Sequence, residues 1–443
     1  MSAKITPHQR GGESGALEES RRLQQRASRL IPGGSQTLSK GPSQWAQGVA
    51  PGFLRRGRGA RVQDVDGRWF LDFPMALGPV ILGHCHPAVQ QAIREQLDDG
   101  IVFTLPHPLE LEVAERIVRM VPNAERVRFA KSGSDATSAA IRLARASTGR
   151  ELVLSSGYHG WHDWYIGCTS WHAGVPRAVR ALTEPVAWGT LEAMEEAFAR
   201  HRGEVAAVIL EPVGVSEPAP GYLSGVVELA HEHCALAIFD EIITGFRLAP
   251  GGAQERYAVS ADLVCLGKAL GNGMPISALA GRAQTMEGLQ RVFFSGTHGG
   301  ETLSLAAARV TLDVLSHASA HAHLWRLGAR LQEGVRGAIA RTGLEEWVVC
   351  GGAAPWTIVG VREPTARGAT LPAKTLLQQE MLRRGVLYNG SNFISLAHTD
   401  ADIEEAIDAY EHAFTRLAQA LPDDVERYLE CEPVAQVFRT VAG

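Results

Sequence analysis

Short apolar runs that alternate with helical stretches constrain the fold of this chain more than any other feature. From about residue 84 onward, helical stretches separate runs that are rich in Val, Ile, Leu and Ala. Such runs are typical of strands buried on both faces, and the intervening helices favour a parallel sheet. The runs are residues 126–130, 151–155, 205–210, 234–240 and 262–266. The sequence therefore predicts an α/β fold whose large domain is a mostly parallel sheet flanked by helices.

The segments on either side of these runs predict a smaller α+β domain. A short helix is expected over residues 17–30, and residues 62–73 predict a hairpin with its turn at Asp66-Gly67. Near residue 315 a long helix begins, and a further helix is expected from Ala401. Strand-like pieces lie between them, at 347–350, 356–361, 386–388 and 393–396. We predict an N-terminal segment at 1–66 that contributes to the small domain and to dimer contacts, a large domain at 67–315 and a small domain at 316–443.

Composition limits the class of protein. Hydrophobic residues make up 45% of the 443 residues and charged residues 21%, which is ordinary for a globular protein. A formal net charge of −5 gives no reason to expect a nucleic-acid partner. The six cysteines form no Cys-x-x-Cys pair, and no apolar run approaches the roughly 18 residues of a membrane span. We therefore expect a cytoplasmic protein that is not bound to a membrane.

A lysine and an aspartate suggest the chemistry. Asp240 ends the apolar run 234–240, and Lys268 follows the run 262–266 in a Leu-Gly-Lys-Ala-Leu-Gly stretch. A pyridoxal phosphate enzyme needs this pair, because the amine forms a Schiff base with the cofactor aldehyde and the carboxylate keeps the ring nitrogen protonated. Taken singly, Asp240 is equally typical of a helix N-cap and Lys268 of a solvated surface lysine.

Two Gly- and Ser-containing loops are candidates for phosphate binding. Ser132, Gly133 and Ser134 link the run 126–130 to a helical stretch, where free backbone N–H groups suit an anion. A second Gly-rich turn, 294–301, precedes another helix. In isolation each loop is as typical of an ordinary capped helix as of a phosphate site.

Aromatic and acidic residues follow two further strands. Tyr158 and His159 come after the run 151–155, where an aromatic ring can stack on a planar cofactor. Trp161 begins an aromatic stretch that either lines a pocket or packs at a subunit interface. Glu211 ends the run 205–210, and ligands of open α/β sheets lie just outside such strand ends. We therefore expect Glu211, Asp240 and Lys268 to converge on one crevice.

Three histidine pairs suggest a metal site but lack its usual spacing. None shows the i, i+4 helical spacing or the cysteine partners of a metal centre. The pairs are His84/His86, His231/His233 and His321/His323. We predict no metal.

In combination and in this order, these motifs resemble the class III aminotransferases, which are fold-type I pyridoxal phosphate enzymes. The similarity is strongest to the glutamate-1-semialdehyde aminomutase branch and covers nearly the whole chain. The matching stretches are Ile-Pro-Gly-Gly at 31–34, Asp-Val-Asp-Gly at 64–67, residues 78–84, residues 240–247 and Leu-Gly-Lys at 266–268.

The resemblance implies a role for each matching residue. Lys268 would be the Schiff-base lysine and the proton shuttle, and Asp240 the partner of the pyridine nitrogen. Tyr158 and Ile242 would pack on opposite ring faces, beside His159 and Glu211 in the cofactor site. The phosphate would be held by Ser132, Gly133 and Ser134, and from the neighbouring subunit by Gly296 and Thr297. The active unit would then be a homodimer with shared active sites.

Three departures from the aminomutase pattern concern the substrate. Lys40 stands where the branch has an arginine for the substrate carboxylate, and Leu77 where it has a tryptophan. The acidic residue upstream of the Ser-Leu-Ala-His-Thr stretch at 395–399 is absent. Neutral groups lie there instead, on Tyr388, Asn389, Ser391 and Asn392. We expect Lys40, Leu77, Trp161, Asn389 and Asn392 to lie at the substrate.

These residues favour an aminotransferase that moves an amino group from a donor, by family habit glutamate, to a ketone or aldehyde. The neutral groups suggest a biosynthetic carbonyl such as a keto-sugar or an antibiotic precursor. The alternative is glutamate-1-semialdehyde 2,1-aminomutase itself. A nucleotide-binding protein is disfavoured, because neither G-x-G-x-x-G nor G-x-x-x-x-G-K-[ST] occurs. A non-catalytic scaffold would be expected to have lost Lys268 or Asp240.

Overall fold

A computed structural model describes residues 17–362 and 370–436 of the chain. Within these ranges the chain divides into two compact units. One combines the residues up to Leu77, Leu82–His86 and the part from Leu324 onward, and the other comprises Gly78–Ile81 and Pro87–His323. The domain boundaries predicted at 66/67 and 315/316 stay predictions.

The described residues form fourteen strands and fourteen α-helices. The strands are β1 Leu54–Arg58, β2 Arg61–Asp64, β3 Trp69–Asp72, β4 Arg126–Ala130, β5 Leu152–Ser156, β6 Thr183–Pro185, β7 Val205–Leu210, β8 Leu236–Glu241, β9 Leu263–Leu266, β10 Ser277–Gly281, β11 Val348–Gly351, β12 Trp356–Val361, β13 Val386–Leu387 and β14 Ser391–Phe393. The helices are α1 Glu18–Leu30, α2 Pro87–Asp99, α3 Pro108–Met120, α4 Gly133–Thr148, α5 Asp163–Ile166, α6 Arg177–Arg180, α7 Leu191–Arg200, α8 Tyr222–Glu232, α9 Gly252–Tyr257, α10 Ala283–Met286, α11 Thr302–Leu315, α12 Ala318–Thr342, α13 Thr370–Arg383 and α14 Asp400–Ala420.

The larger unit contains a seven-stranded sheet in the order β4-β10-β9-β8-β7-β5-β6. Strands β5 to β9 pair in parallel, and β10 runs antiparallel between β4 and β9. All five apolar runs predicted as strands are strands, and the predicted α/β class with a mostly parallel sheet is confirmed. Strand β10 was not predicted, because its small residues Ser-Ala-Leu-Ala-Gly lack the Val and Ile content of the other strands.

Both faces of this sheet are buried, which explains its continuous apolar strands. On β7, Ala207 and Ile209 pack with α4 on one face, while Val208 and Leu210 pack with α7 and α8 on the other. Helix α4 presents a row of alanines to the sheet, so it lies close to the strand ends. It begins at a capping box in which Ser132 accepts from the Asp135 N–H, which fixes the position of the 132–134 loop.

The other unit contains two small sheets. The predicted hairpin forms from β2 and β3, which pair antiparallel, and β13 adds in parallel to β3. The chain's early and late segments therefore share one sheet, of order β1-β2-β3-β13. Strands β11, β12 and β14 form the second sheet, and β14 lies at 391–393 instead of the predicted 393–396. Helix α14 begins one residue before the predicted Ala401, because Thr399 caps it.

Two searches for other features gave negative results for the residues that the structure describes. None of their helices combines the length and hydropathy needed to cross a bilayer. Their histidine, cysteine, aspartate and glutamate side chains form no group of three suited to a metal ion.

Candidate active site

The candidate site lies at the carboxyl ends of the central strands of the larger unit. Asp240 is the penultimate residue of β8, Glu211 follows β7, and Lys268 comes two residues after β9. The registers of these parallel strands bring their ends to the same edge, with Asp240 opposite Cys265. The predicted convergence of the three charged residues is therefore built into the order β9-β8-β7.

Asp240 is buried and oriented by two N–H groups. Its Oδ2 atom accepts from His159 Nδ1 at 2.7 Å, and its Oδ1 atom accepts from the backbone N–H of Ile242 at 3.1 Å. The His159 ring packs against the rings of Trp164 and Tyr165, with centroid distances of 6.1 Å and 5.2 Å. The Asp240 carboxylate is therefore held in a single orientation by a partner that is itself fixed by packing.

Lys268 is the amine of this site. Its backbone is left-handed, with φ of 36°, which is strained for a residue with a side chain and is typical of functional positions. Burial lowers the pKa of Lys268 to about 8, although the Glu211 and Asp240 carboxylates oppose this change. A larger fraction of this amine is therefore uncharged near neutral pH than of an ordinary lysine, and an uncharged amine is the nucleophilic form.

Glu211 lies beside this pair. Its Oε2 atom accepts from the backbone N–H of Tyr158 at 2.9 Å, and a Cβ on Gly157 would approach the same oxygen to 2.6 Å. Burial raises the pKa of Glu211 to about 7, and the nearby Asp240 carboxylate acts in the same direction. Tyr158 is 47% exposed, and its ring packs edge-on against Tyr165 at 5.6 Å. An aromatic side chain is therefore accessible to solvent at this edge of the sheet.

Two glycines allow the Ile242 side chain to pack closely against the backbone. A Cβ on Gly133 would lie 3.2 Å from three carbons of the Ile242 side chain, and a Cβ on Gly267 would lie 3.0 Å from its Cδ1 atom. Ile242 therefore sits over the start of the 132–134 loop and next to Lys268. On the other side of that loop, Ser134 Oγ accepts from the backbone N–H of Trp161 at 3.2 Å. A Cβ on Gly160 would collide with this hydroxyl.

Four of the five residues expected at the substrate, Lys40, Leu77, Asn389 and Asn392, lie in the smaller unit. Lys40 is exposed and lines a cavity of about 350 Å³ together with Trp45 and Phe53. Leu77 ends a run of three consecutive left-handed residues, with φ of 41°, 58° and 75° at Met75, Ala76 and Leu77. Asn389 is half-buried, and its Oδ1 atom accepts from the Ser391 N–H at 3.1 Å.

The prediction that Asn392 contacts the substrate needs a correction. Asn392 is 1% exposed, its amide donates to the Thr357 carbonyl at 3.3 Å, and its Oδ1 atom accepts from Tyr410 Oη at 2.8 Å. Tyr388 is also buried and donates to the Val359 carbonyl at 2.8 Å. Because these polar groups are used inside the unit, we withdraw Asn392 from the substrate-binding set and Tyr388 from the neutral groups near it.

Arg247 is a buried cation to which the sequence analysis gave no role. It is 1% exposed, and its Nη2 atom donates to the Gly78 carbonyl at 2.6 Å. Burial lowers the pKa of Arg247 to about 9. A basic residue inside the apolar stretch 242–248 was the only signal for it in the sequence.

The comparisons with known proteins identify the family. The sequence profile of the aminotransferase class-III family matches residues 44–345. This chain belongs to the class-III aminotransferases. It is 36% identical over 428 residues to a protein of Syntrophobacter fumaroxidans named glutamate-1-semialdehyde 2,1-aminomutase, covering 91% of this chain and 98% of the relative.

Two solved structures share this fold. The FumI protein of Sphingopyxis sp. MTA144, in its PLP internal aldimine form, has a TM-score of 0.85 and 28% identity, covering 94% of this chain and 98% of that one. An omega-transaminase from Sphaerobacter thermophilus has a TM-score of 0.83 and 26% identity, covering 90% and 98%. Family and fold together establish a pyridoxal phosphate-dependent enzyme.

The residues of the site fit this cofactor. Gly133 and Gly267 let the Ile242 side chain pack closely against the 132–134 loop and the residue before Lys268, and a Cβ at either position would press on it. The same edge of the sheet carries a buried amine, a carboxylate fixed by a histidine, and a capped helix N-terminus with free backbone N–H groups. An aldehyde, a ring nitrogen and a phosphate are the three groups that such residues suit.

Proposed function

We propose that this enzyme moves the amino group of glutamate-1-semialdehyde between carbons 2 and 1. The observation that carries the proposal is the similarity, over nine-tenths of the chain, to relatives named for this reaction. The sequence analysis favoured transfer to a neutral carbonyl, and the aminomutase was its alternative. Two of the four neutral groups behind that preference, on Tyr388 and Asn392, are occupied inside the smaller unit. The balance therefore moves to the alternative.

The residues of the site divide the work in this proposal. Bound pyridoxal phosphate supplies a ring that accepts electrons from the reacting carbon. Lys268 holds the cofactor and carries the proton between substrate positions, because its amine is partly uncharged near neutral pH. Asp240 keeps the ring nitrogen protonated, and His159 holds Asp240 in place. Tyr158 and Ile242 would pack against the ring, and the 132–134 loop would hold the phosphate.

The active unit that we propose is a homodimer. The loop that carries Gly296 and Thr297 is exposed within one chain, and no atom of the described residues lies within 4 Å of a Cβ built on Gly296. The resemblance to the family implies that this loop reaches the phosphate of a neighbouring copy. The cytoplasmic location stays a prediction.

The amine of Lys268 gives this proposal a pH dependence. With a pKa of about 8 instead of the ordinary 10.5, the reactive free amine rises with pH up to about 8 and then levels off. Below that pH we expect the rate at which the apoenzyme captures pyridoxal phosphate to fall by about tenfold per pH unit. Borohydride trapping of the adduct at timed intervals measures the rate.

Glu211→Gln is the informative variant for this pH profile. The Glu211 carboxylate favours the charged amine, so its removal is expected to shift the midpoint to lower pH. Lys268→Ala is the control and should trap no adduct. If the wild-type capture rate instead has its pH midpoint near 10, burial does not lower the pKa of the Lys268 amine.

A second candidate is an intermolecular aminotransferase. It is favoured by Lys40, a point charge where the aminomutase branch carries an arginine, since an ammonium does not reproduce a bidentate guanidinium contact. It is also favoured by the close structural similarity to an omega-transaminase. Its substrate would be an external carbonyl compound, with a separate amino donor.

A half-reaction experiment separates the two candidates. We expect enzyme converted to the pyridoxamine form to turn over glutamate-1-semialdehyde many times without an added donor, because an aminomutase returns the amino group to the same molecule. Product is measured at increasing substrate-to-enzyme ratios. A single turnover per active site, restored only by adding an amino donor, would instead establish the aminotransferase.

A further inference from the structure

The segment 293–301, which we call the strap, connects the short helices after β10 to α11. Its residues 295–298 are exposed, and Phe293 is 81% exposed. The strap carries Gly296 and Thr297, the two residues for which the family resemblance implies contact with a neighbouring cofactor. An exposed nine-residue connection of this kind needs fastening if it is to present two residues in a fixed position.

Three cations, on β4, on α4 and in the loop between them, fasten the strap to its own chain. Arg128 Nη2 donates to the Phe294 carbonyl at 2.7 Å, and its guanidinium lies 5.6 Å from the centroid of the Phe294 ring. Arg142 Nη1 donates to the Phe293 carbonyl at 3.0 Å. At the other end of the strap, Lys131 Nζ pairs with Glu301 Oε2 at 2.9 Å.

The Lys131–Glu301 pair joins two helix starts. Glu301 caps α11 by accepting from the backbone N–H groups of Leu303 and Ser304 at 2.6 Å and 3.2 Å. Lys131 immediately precedes Ser132, the cap of α4 and the first residue of the proposed phosphate loop. The side chains of the pair are 25% and 12% exposed, so solvent screens their attraction less than that of a surface ion pair.

The strap opens onto a space that the Lys268 site does not share. Gly296 and Thr297 line a cavity of about 1020 Å³ together with Lys131, Arg128 and Arg142. Lys268, Asp240 and Ser134 are not among its lining residues. Within one chain, the strap therefore does not face the amine that its own chain supplies.

We infer that Lys131 and Glu301, with Arg128 and Arg142, are positioning residues that hold the strap so that Thr297 contacts the cofactor phosphate of a second copy of this chain. This inference rests on the proposed homodimer and adds the residues that set its geometry. Lys131 then serves both active sites of the dimer. The 132–134 loop that follows it belongs to the site of its own chain, and the strap that it fastens completes the site of the partner chain.

The test uses mixed dimers that contain one Lys268→Ala chain, so that only one site gives the spectral change of lysine–cofactor binding. Glu301→Gln is placed either in the chain that keeps Lys268 or in the Lys268→Ala chain. The glutamine retains an oxygen that can cap α11 and removes the charge that Lys131 pairs with. The matched control is Glu112→Gln, which removes a different ion pair to α11, that with Arg309 at 3.3 Å.

We expect Glu301→Gln to raise the Kd for pyridoxal phosphate by about tenfold only when it lies in the Lys268→Ala chain. Binding of pyridoxal, which lacks the phosphate, should not change, and Glu112→Gln should affect neither ligand. An effect confined to the chain that keeps Lys268, or an equal effect on pyridoxal, would overturn the inference.

Thr297→Ala is tested in the same two arrangements. It distinguishes a failure of the positioning role from a failure of the proposed shared site. If Thr297→Ala weakens pyridoxal phosphate binding in trans and Glu301→Gln does not, the shared site stands and the positioning role is wrong. If Thr297→Ala changes nothing in either arrangement, the strap does not serve a phosphate, and the shared site fails together with the inference.

Discussion

Lys268→Ala is expected to reduce turnover by at least about 10³-fold, because it removes both the group that holds the cofactor and the group that moves the proton. The fold should be retained. Lys268 lies outside the strands. Its φ of 36° is strained, and an alanine in the same conformation would carry a similar strain, so the free energy of unfolding should change little. Single-turnover measurement with pre-bound substrate, together with circular dichroism, checks both parts of this prediction.

Chemical rescue distinguishes loss of the Lys268 amine from damage to the structure of the active site. A small primary amine added to the Lys268→Ala enzyme is expected to restore part of the proton-transfer rate, in proportion to its free-base concentration. Lys374→Ala on α13 is the matched lysine control and should keep activity within a few-fold of wild type. Near-normal turnover of Lys268→Ala without an added amine would refute the assignment of this residue.

Asp240→Asn is expected to lower the proton-transfer rate by about 10²- to 10³-fold while the cofactor stays bound. The asparagine oxygen can still accept from the Ile242 N–H, and its NH2 group can donate to His159 Nδ1 if the imidazole proton moves to Nε2, so the local geometry can be retained. The amide cannot stabilise a positive charge on the ring nitrogen. Stopped-flow absorbance of the half-reaction measures the rate, and equilibrium titration measures the cofactor affinity.

The neighbouring carboxylate provides the control for Asp240. Glu241 is also buried, but it caps α9 by accepting from the backbone N–H groups of Ala253 and Gln254. Glu241→Gln should therefore lower the thermal stability and leave the half-reaction rate nearly unchanged. A pyridoxal phosphate methylated on its ring nitrogen carries a permanent positive charge and should partly restore Asp240→Asn. Unchanged half-reaction kinetics in Asp240→Asn would mean that another group performs this task.

The parts of the fold that were predictable are those where one local pattern decides the structure. Strands β5, β7, β8 and β9 of the parallel core are short apolar runs, and the hairpin turns at Asp66-Gly67, where a glycine with φ of 92° is required. The edge strand β6 has the sequence Thr-Glu-Pro and was not predicted. Strand β10 was missed because its short, alanine-rich sequence favours no strand by itself. Pairing with β4 on one side and β9 on the other makes it one.

The candidate site, like the fold, was predictable only where a local pattern of residues decides the structure. The identities of Lys268, Asp240, Glu211 and Tyr158 followed from their positions at strand ends. The His159–Asp240 hydrogen bond, the strap fastened by Lys131 and the burial of Asn392 did not, because each depends on residues that are distant in the chain and meet only in the folded protein.

The sequence by itself determined the chemistry available to this protein: an amine after one strand, a carboxylate at the end of another, and small residues in the loop that we propose for the phosphate. It did so because these groups are tied to local patterns of a few residues each. Only the tertiary structure decided which polar groups are free to act. Hydrogen bonding and burial depend on neighbours from other strands and helices, and these turned Asn392 from a substrate contact into part of the core and Lys131 into an anchor for the strap.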